Sequence, residues 1–314
     1  MLLADVVAVS TAIAATRSRK QKVVLLSDLL RNLAGGEVTI GVAYLAGRPL
    51  QQRLNVGYAT VYRVESEAAT TPTLTLSAVD AALERLATIS GSGSKARREE
   101  ELTKLLATAT AEEQDYLRRL ILGELRQGAL EGIMADALAR AVDVDPRVVR
   151  RAAMMSGDLV AAATAALADG PEALDGFQLT IGRPIQPMLA KTAPTPTAAL
   201  EATGPASVEW KLDGARIQVH RSHGEVRVWT RNLNEITGAA RVRLGETLGD
   251  AEALILDGEM LQVDETGAPL PFQDSMSEFG SDETAPGRLQ PFFFDCLMAE
   301  GRSLVDEKLS VRRA

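Results

Sequence analysis

Residues 207–222 read SVEWKLDGARIQVHRS, and apolar and polar side chains alternate along most of this stretch. Such a period of two puts every second side chain on the same face of an extended strand. The pair Asp213-Gly214 in its middle is a frequent hairpin turn sequence. The stretch therefore predicts two short strands joined by a turn, with Glu209, Lys211 and Asp213 on one face of the first strand.

The same alternation returns in three later segments, which read EVRVWTR (225–231), LILDGEM (254–260) and PFFFDCL (291–297). A second turn signal, His223-Gly224, comes just before the first of these segments. Side chains two residues apart, such as Asp257 and Glu259, would share a face. The second part of the chain is therefore predicted to be β-rich or α+β.

The first 180 residues have a different pattern. They are rich in Ala and Leu at helical spacing, and the leucines between positions 26 and 33 form one apolar stripe. Glycine and proline interrupt this spacing at short intervals, which favours short helices joined by tight loops. We therefore predict an all-α domain over 1–180, a Pro-rich extended connector over 181–206 and a β-containing domain over 207–314.

Composition excludes several classes of protein. Of the 314 residues, 46% are hydrophobic and 24% are charged, which is typical of a folded protein and not of a disordered or fibrous one. No run of about 18 uncharged apolar residues exists, so we expect no membrane span. The single cysteine, Cys296, fits a reducing cytoplasm. The net charge of −8 argues weakly against a nucleic-acid partner, although phosphate binding needs only a local positive potential.

Lys211 lies among carboxylates and arginines in the sequence, and this combination suits covalent chemistry on a phosphoryl group. An attacking amine must be deprotonated, which a site achieves by burial or by neighbouring cations. Carboxylates such as Asp257 and Glu259 can hold a divalent metal that neutralises phosphate charge. Arginines such as Arg216 and Arg231 can donate two parallel hydrogen bonds to a phosphate.

The segment EWKLDGAR (209–216) resembles the nucleotidyltransferase signature of DNA ligases, in which a lysine is followed by x-Asp-Gly-x-Arg. TRNLNEIT (230–237), LILDGEM and FFFDCLMAEGRSLVDEKLSVRR (292–313) resemble later motifs in the order of that family. LRQGALEGIMADALARA (125–141) and GRPIQPMLA (182–190) resemble the DNA-binding domain and connector of actinobacterial ATP-dependent DNA ligases, in particular the mycobacterial ligase B type. The resemblance covers nearly the whole chain.

This resemblance implies a multidomain α and β protein. An all-α DNA-binding domain would be followed by part of an α+β, antiparallel-sheet nucleotidyltransferase domain of the ATP-grasp-like ligase type. Lys211 would attack ATP and carry AMP, which would pass to the 5′-phosphate of a nick before the 3′-hydroxyl seals the strand. Asp213 would orient this lysine or complete its turn. The implied cofactors are ATP and Mg²⁺ or Mn²⁺.

The resemblance also assigns residues around the nucleotide and the metal. Glu259 would bind ribose or the metal, and Asp257 is a second candidate for the metal. Phe294 would stack on adenine, and Glu209 would lie beside the adenosine. The arginines implied to contact the nucleotide or the nick phosphate are Arg216 and Arg231.

The implied partner is nicked double-stranded DNA, bound by a monomeric cytoplasmic protein without membrane association. The implied processes are DNA replication, repair and recombination, and cell division. The candidates for DNA contact are basic residues of the helical part: Lys95, Arg97, Arg98, Arg119 and Arg126. The first three follow GSGS at a predicted helix start, where backbone N–H groups favour phosphate. A plainer interpretation is a solvated helix face, since acidic residues follow closely.

The catalytic candidates have plainer structural interpretations too. A single surface lysine is usually a solvated charge. Asp257-Gly258 could be only a turn, and Phe292–Phe294 are most simply core aromatics. We assign Trp210 and Trp229 to packing.

Two further ligase motifs, one with Glu-Gly and a lysine and one ending in paired lysines, are not found in the chain, nor is an OB-fold domain. The resemblance therefore predicts an N-terminal fragment of a longer ligase, with weak or no self-adenylation of its own. Three functions remain open: a DNA ligase, a non-catalytic DNA-binding module that keeps the ligase fold, and an RNA ligase or capping-type nucleotidyltransferase. The long helical part argues against the third.

Overall fold

The computed structural model describes the chain except for residues 52, 126–130, 189, 238–243, 245–247, 249–251, 265, 269, 271–288 and 314. The described residues form two compact units. The first unit comprises Met1–Ala153 and Asp158–Gln178, and the second comprises Met154–Gly157 and Leu179–Ala314. Each unit has its own hydrophobic core.

The first unit is helical. Its helices are α1 (Leu3–Ala15), α2 (Arg19–Arg31), α3 (Glu37–Leu45), α4 (Tyr58–Arg63), α5 (Leu76–Thr88), α6 (Ser94–Ala107), α7 (Ala111–Leu122), α8 (Glu131–Val142), α9 (Pro146–Ser156, whose last residues belong to the second unit) and α10 (Leu159–Ala168). Several begin at a residue whose side chain accepts a first-turn N–H, as Ser18, Thr75 and Thr110 do. The prediction of an all-α first part is confirmed.

The apolar stripes of these helices face one core. Leu26 and Leu30 of α2 and Leu117 of α7 are fully buried, as their spacing predicts. The buried Tyr116 hydroxyl donates a hydrogen bond of 2.9 Å to the Tyr44 carbonyl, so this polar group is satisfied inside the core. None of the described helices has the length and apolar character needed to cross a bilayer.

The second unit contains a five-stranded antiparallel sheet with the strand order β2-β1-β3-β4-β5. The strands are β1 (Ala215–Ser222), β2 (Glu225–Thr230), β3 (Ala253–Gln262), β4 (Leu289–Ala299) and β5 (Arg302–Ser303). Two helices of this unit lie wholly within the described residues, α11 (Pro196–Thr203) and α12 (Leu309–Arg312). The prediction of a β-containing second part is confirmed, and β1 lies between β2 and β3. Residues on β1 therefore have sheet neighbours on both sides.

Polar side chains of β1 hold the start of the connector. The Gln218 amide exchanges two hydrogen bonds with the backbone of Ile185, at 2.8 and 3.1 Å. The His220 Nδ1 atom accepts a hydrogen bond of 2.9 Å from the Gly182 N–H. Further along, the connector is not extended, because Thr195 caps α11 and Pro196 occupies its first position. The prediction of an extended connector is therefore wrong for residues 196–203.

Residues 207–213 form no strand, and the prediction of a strand and hairpin here is wrong. The chain runs unpaired to Gly214, and β1 begins at Ala215, whose partner on β3 is Met260. Trp210 is 93% exposed, so the packing role that we expected for it is also wrong, whereas Trp229 is 3% exposed. Alternation assigns faces to a strand, but a strand also needs a neighbouring backbone to bond, and this segment finds none among the described residues.

Candidate active site

Arg216 on β1 and Asp257 on β3 form an ion pair across the sheet. The Arg216 Nε and Nη2 atoms donate to the two carboxylate oxygens of Asp257 at 2.9 and 2.5 Å. The Asp257 side chain is only 9% exposed, and hydrogen bonding to it raises the pKa of Arg216. The Arg216 Nη1 atom donates to the Met188 carbonyl at 3.2 Å. The guanidinium is thus fixed in a charged state and in one orientation.

Glu259 lies beside this pair, because it is the direct β3 partner of Arg216. Its carboxylate accepts a hydrogen bond of 3.3 Å from the Gly214 N–H. Partial burial raises the pKa of Glu259, while the Gly214 hydrogen bond and the charge of Arg216 oppose that rise. Of the two β3 carboxylates, Glu259 therefore has more capacity left to bind a ligand, since the Asp257 carboxylate already accepts two hydrogen bonds from Arg216.

The glycines of the two predicted motifs permit close approach at this site. A Cβ atom on Gly214 would lie 2.4 Å from the Met260 carbonyl oxygen, and one on Gly258 would lie 2.7 Å from the Phe292 carbonyl oxygen. Both contacts are with backbone atoms, which cannot move aside as a flexible side chain would. The simple interpretation of Asp257-Gly258 as a turn is therefore wrong, because both residues lie inside β3.

Phe294 lies at an irregularity in β4. Asp257 pairs with Asp295 and Gly258 pairs with Phe293, so the register shift leaves Phe294 without a partner on β3. The Arg216 guanidinium carbon lies 5.5 Å from the centroid of the Phe294 ring. Regular alternation would place Phe294 on the same face as Phe292 and Cys296, but the register shift interrupts that alternation. Phe294 is instead an aromatic face beside the fixed guanidinium.

Lys211 lies on the unpaired segment that leads into β1. Its side chain is 86% exposed, and its Nζ atom lies 3.1 Å from an Asp213 carboxylate oxygen. Glu209, two residues earlier, accepts a hydrogen bond from Arg313. The lysine is thus three residues from Gly214, whose N–H bonds Glu259, but it is neither buried nor in contact with Arg216 in this structure.

Arg231 is exposed in the turn after β2. No described contact brings it to the Arg216–Asp257 pair. The structure therefore brings together Arg216, Asp257, Glu259 and Phe294, with Lys211 and Asp213 close by along the chain.

Sequence reasoning did not single out Asp295 and Arg312. Asp295 is the β4 partner of Asp257, and the Arg312 Nε and Nη2 atoms donate to its two carboxylate oxygens, each at 2.8 Å. Both side chains are less than one-fifth exposed. Two carboxylates thus lie in register on neighbouring strands, and each has its own guanidinium. The strand pattern contained a signal for this, namely an aspartate inside the apolar run PFFFDCL.

Metal ligation has limited support within the described ranges. They contain no group of three or more His, Cys, Asp and Glu side chains placed to hold a metal ion. The buried His220 is also unsuited, because its Nδ1 atom accepts from Gly182 and its Nε2 atom contacts Gln218 Oε1 at 2.9 Å. A divalent cation at this site would depend on Glu259 and on oxygen atoms of a bound phosphate.

The basic candidates of the first unit differ in the hydrogen bonds and ion pairs that their side chains already make. Lys95 is exposed in the first turn of α6. Arg97 donates to the Ser90 and Ser92 carbonyls, at 2.6 and 3.3 Å, and Arg98 donates to the Ile89 carbonyl. These two arginines therefore bind the loop before α6.

Arg119 on α7 lies 3.4 Å from Asp115 and lines a cleft between α1 and α7 of about 440 Å³. Its charge is thus partly neutralised by a residue on the same helix. Arg126, the remaining candidate, lies outside the described residues.

Comparison with protein families gives two matches. Residues 187–314 match the family described as "ATP dependent DNA ligase domain", and residues 58–139 match "DNA ligase N terminus". All the residues of the candidate site lie within the first match. The helical unit contains the second.

Comparison with individual proteins also finds proteins named as DNA ligases. The chain is 49% identical over 313 residues to a "Probable DNA ligase" of Saccharopolyspora erythraea, covering 99% of this chain and 61% of that protein. It is 48% identical to a "Probable DNA ligase" of Pseudarthrobacter chlorophenolicus, covering 99% and 62%. The chain thus spans less than two thirds of the length of these relatives. A solved structure titled "Pmar-Lig_Pre." is similar in fold, with a TM-score of 0.54 and 16% identity over 93% of this chain and 56% of that one.

Proposed function

We propose that this chain, whose residues match the N-terminal domain and the ATP-dependent domain of DNA ligases, forms the covalent lysine–AMP intermediate of DNA strand sealing. The observation that carries the proposal is the cluster of Arg216, Asp257, Glu259 and Phe294 at the point where the Lys211 segment enters β1.

The proposed step needs only groups of the chain and of ATP. The Lys211 Nζ atom, deprotonated, attacks the α-phosphorus, and a nitrogen–phosphorus bond forms. The bond from the α-phosphorus to the bridging oxygen of the β-phosphate breaks, and pyrophosphate leaves with its electron pair. The proton lost by the amine goes to solvent, or to Asp213, whose carboxylate lies 3.1 Å from Nζ.

The other residues would bind and orient the nucleotide. Arg216 would direct an N–H group of its fixed guanidinium toward the α-phosphate or, after adenylation, toward the nick phosphate. Phe294 would present its ring to the adenine. Glu259 would accept from a ribose hydroxyl or ligate Mg²⁺, since Mg²⁺ usually takes only one or two carboxylates and completes its shell with phosphate oxygens and water. Glu209 would lie beside the adenosine, and Arg231 would contact phosphate.

The helical unit would bind the DNA. Exposed basic side chains such as Lys95 would contact phosphates, and the bound duplex would bring a nick to the adenylated Lys211. AMP would then pass to the 5′-phosphate, and the 3′-hydroxyl would displace it. We further propose that the protein acts as a cytoplasmic monomer with Mg²⁺ or Mn²⁺, in DNA replication, repair and recombination.

One observation favours a second function, a DNA-binding module without turnover. Lys211 is 86% exposed, on a segment without strand partners, whereas an effective nucleophilic lysine is desolvated or close to cations. Adenylation by this chain alone should therefore be slow. The relatives that match the chain are longer than it is.

Intact-mass spectrometry after incubation with ATP and Mg²⁺ tests the proposal. A gain in mass equal to one AMP is expected with ATP and not with NAD⁺, since the matched domain is ATP dependent. A chain that gains no AMP but still binds nicked duplex would support the non-catalytic module. A chain that takes AMP from NAD⁺ and not from ATP would contradict the proposal.

A further inference from the structure

Two consecutive arginines, Arg312 and Arg313, contact two different parts of the candidate active site. Arg312 ends helix α12 and binds Asp295 on β4, while Arg313 binds Glu209 on the segment that carries Lys211. Adjacent residues thus connect strand β4 to the segment that carries Lys211. Neither arginine was assigned a role by the sequence pattern.

Arg312 is fixed by four described hydrogen bonds. In addition to its two bonds to Asp295, its Nη1 atom donates to the carbonyl oxygens of Val305 and Glu307, at 3.4 and 3.2 Å. Its side chain is 16% exposed. One guanidinium therefore holds the turn 304–309 and helix α12 against β4, at the position where Asp295 faces Asp257.

Arg313 extends from this fixed point to the segment 207–213. Its Nη1 atom donates to the Ser207 hydroxyl at 3.1 Å and also to the Glu209 carboxylate. This segment has no strand partner among the described residues, and Val208 and Trp210 are 87% and 93% exposed. The contacts of Arg313 are therefore the described side-chain contacts that join the segment, before Gly214, to the rest of the unit.

We propose that Arg312 and Arg313 are positioning residues that hold the Lys211 segment at a fixed distance from the Arg216–Asp257 pair. This inference rests on the proposed function of Lys211 as the nucleophile. Without the two arginines, the segment would keep its chain connections at Ala206 and Gly214 but would lose its described side-chain hydrogen bonds to the rest of the unit, and the amine would sample more positions. Because rates of group transfer depend strongly on the placement of the attacking atom, loss of this restraint would slow adenylation.

The two arginines should act as a unit. Arg313 can restrain Glu209 only if its own backbone is fixed, and Arg312 provides that fixation. Replacing either residue should therefore release the segment to the same extent, and the double replacement should add little. The Arg313 and Glu209 side chains are 34% and 41% exposed, so salt should weaken their pairing.

Trp210 provides a direct probe, since it is one residue from Lys211 and the chain contains only two tryptophans. We would incorporate 5-fluorotryptophan and record the ¹⁹F resonances of the full chain, assigning Trp210 through Trp210→Phe. In Arg313→Ala and Arg312→Ala the Trp210 resonance should narrow, while the buried Trp229 resonance stays unchanged. Arg313→Lys should restore part of the width, and Arg302→Ala, at an exposed arginine of β5, should change neither signal.

High salt should narrow the Trp210 resonance of the wild-type chain and leave that of Arg313→Ala unaffected. An unchanged Trp210 resonance in Arg313→Ala would overturn the proposal. An equal change at Trp229 would also overturn it, because it would show a general loss of structure.

Adenylation by the same variants separates this inference from the proposed function. The AMP adduct should form on the order of 10-fold more slowly in Arg313→Ala, and Arg313→Lys should recover part of the rate. Equal rates in wild type and Arg313→Ala would overturn the positioning role. A wild-type chain that takes no AMP would overturn the proposed function, and the Trp210 resonance would then decide alone whether the arginines restrain the segment.

Discussion

Arg216 on β1 donates two hydrogen bonds to the carboxylate of Asp257 on the adjacent strand β3, at 2.9 and 2.5 Å, and the acceptor side chain is only 9% exposed. A buried ion pair adds little net stability, but removing one partner leaves an uncompensated buried charge. This asymmetry determines how variants of the pair should behave.

Arg216→Ala should destabilise the second unit by about 3 kcal/mol, because Asp257 would remain buried without its guanidinium. The double variant Arg216→Met with Asp257→Leu should recover much of that loss, since it removes both charges. Urea unfolding, followed by the fluorescence of Trp229, measures the free energy of unfolding of both variants, with Arg302→Ala as the control. A stability of Arg216→Ala within about 0.5 kcal/mol of wild type would mean that the pair is not buried as described.

The stability of the second unit should fall as the pH is lowered from 6.5 toward 4. Burial, followed by the charge of Arg227, lowers the pKa of His220 in the folded protein to about 4. Between pH 6.5 and pH 4 the unfolded chain therefore binds a proton at this histidine and the folded chain does not, so acid favours unfolding. The contribution of neutral His220 to the free energy of unfolding is fully present above pH 6.5, and its loss approaches about 3 kcal/mol near pH 4.

Urea midpoints measured across this pH range test the His220 prediction. His220→Gln should flatten the dependence, while His223→Asn, at the exposed histidine of the adjacent turn, should keep it. Parallel pH profiles for wild type and His220→Gln would show that another group is responsible.

Lys95 should contribute to DNA affinity without contributing to stability. It is exposed in the first turn of α6, so Lys95→Ala should weaken binding to nicked duplex and lower the salt slope by about 1. Lys104→Ala on the same helix is the matched control, because Lys104 already pairs with Glu100 at 2.7 Å. Fluorescence anisotropy of labelled nicked DNA at several salt concentrations gives the slope.

Arg98→Ala should behave differently from Lys95→Ala. It should cost about 1 kcal/mol of stability, since the Ile89 carbonyl would lose its donor.

For the Lys95 prediction, an unchanged salt slope of DNA binding in Lys95→Ala would exclude this turn of α6 from the DNA interface.

Much of the fold could be predicted from the sequence, because the spacing of apolar residues reflects which side chains a helix or a strand must bury. Apolar residues at helical spacing must bury one stripe, and Leu26 and Leu30 do so. Alternation likewise predicted the strands that bring Asp257 and Glu259 to one region of the sheet. The contact of Arg216 with Asp257 required the register of two strands that are distant in sequence, which alternation does not specify.

The remaining features depend on partners that a local pattern does not contain. Residues 207–213 alternate as a strand does, yet no described backbone pairs with them. The register shift at Phe294 changes the faces of β4, and the Asp295–Arg312 pair joins residues 17 positions apart through a turn. These are long-range consequences of packing, which a local sequence pattern does not specify.

The role of Lys211 as the nucleophile can be tested directly. We would incubate the chain with α-labelled ATP, Mg²⁺ and inorganic pyrophosphatase, so that removal of pyrophosphate lets even a slow reaction accumulate product. We expect acid-labile label that approaches at most one AMP per chain in wild type and is absent in Lys211→Ala. Equal label in Lys211→Ala, or no label in either protein after pyrophosphate removal, would contradict it.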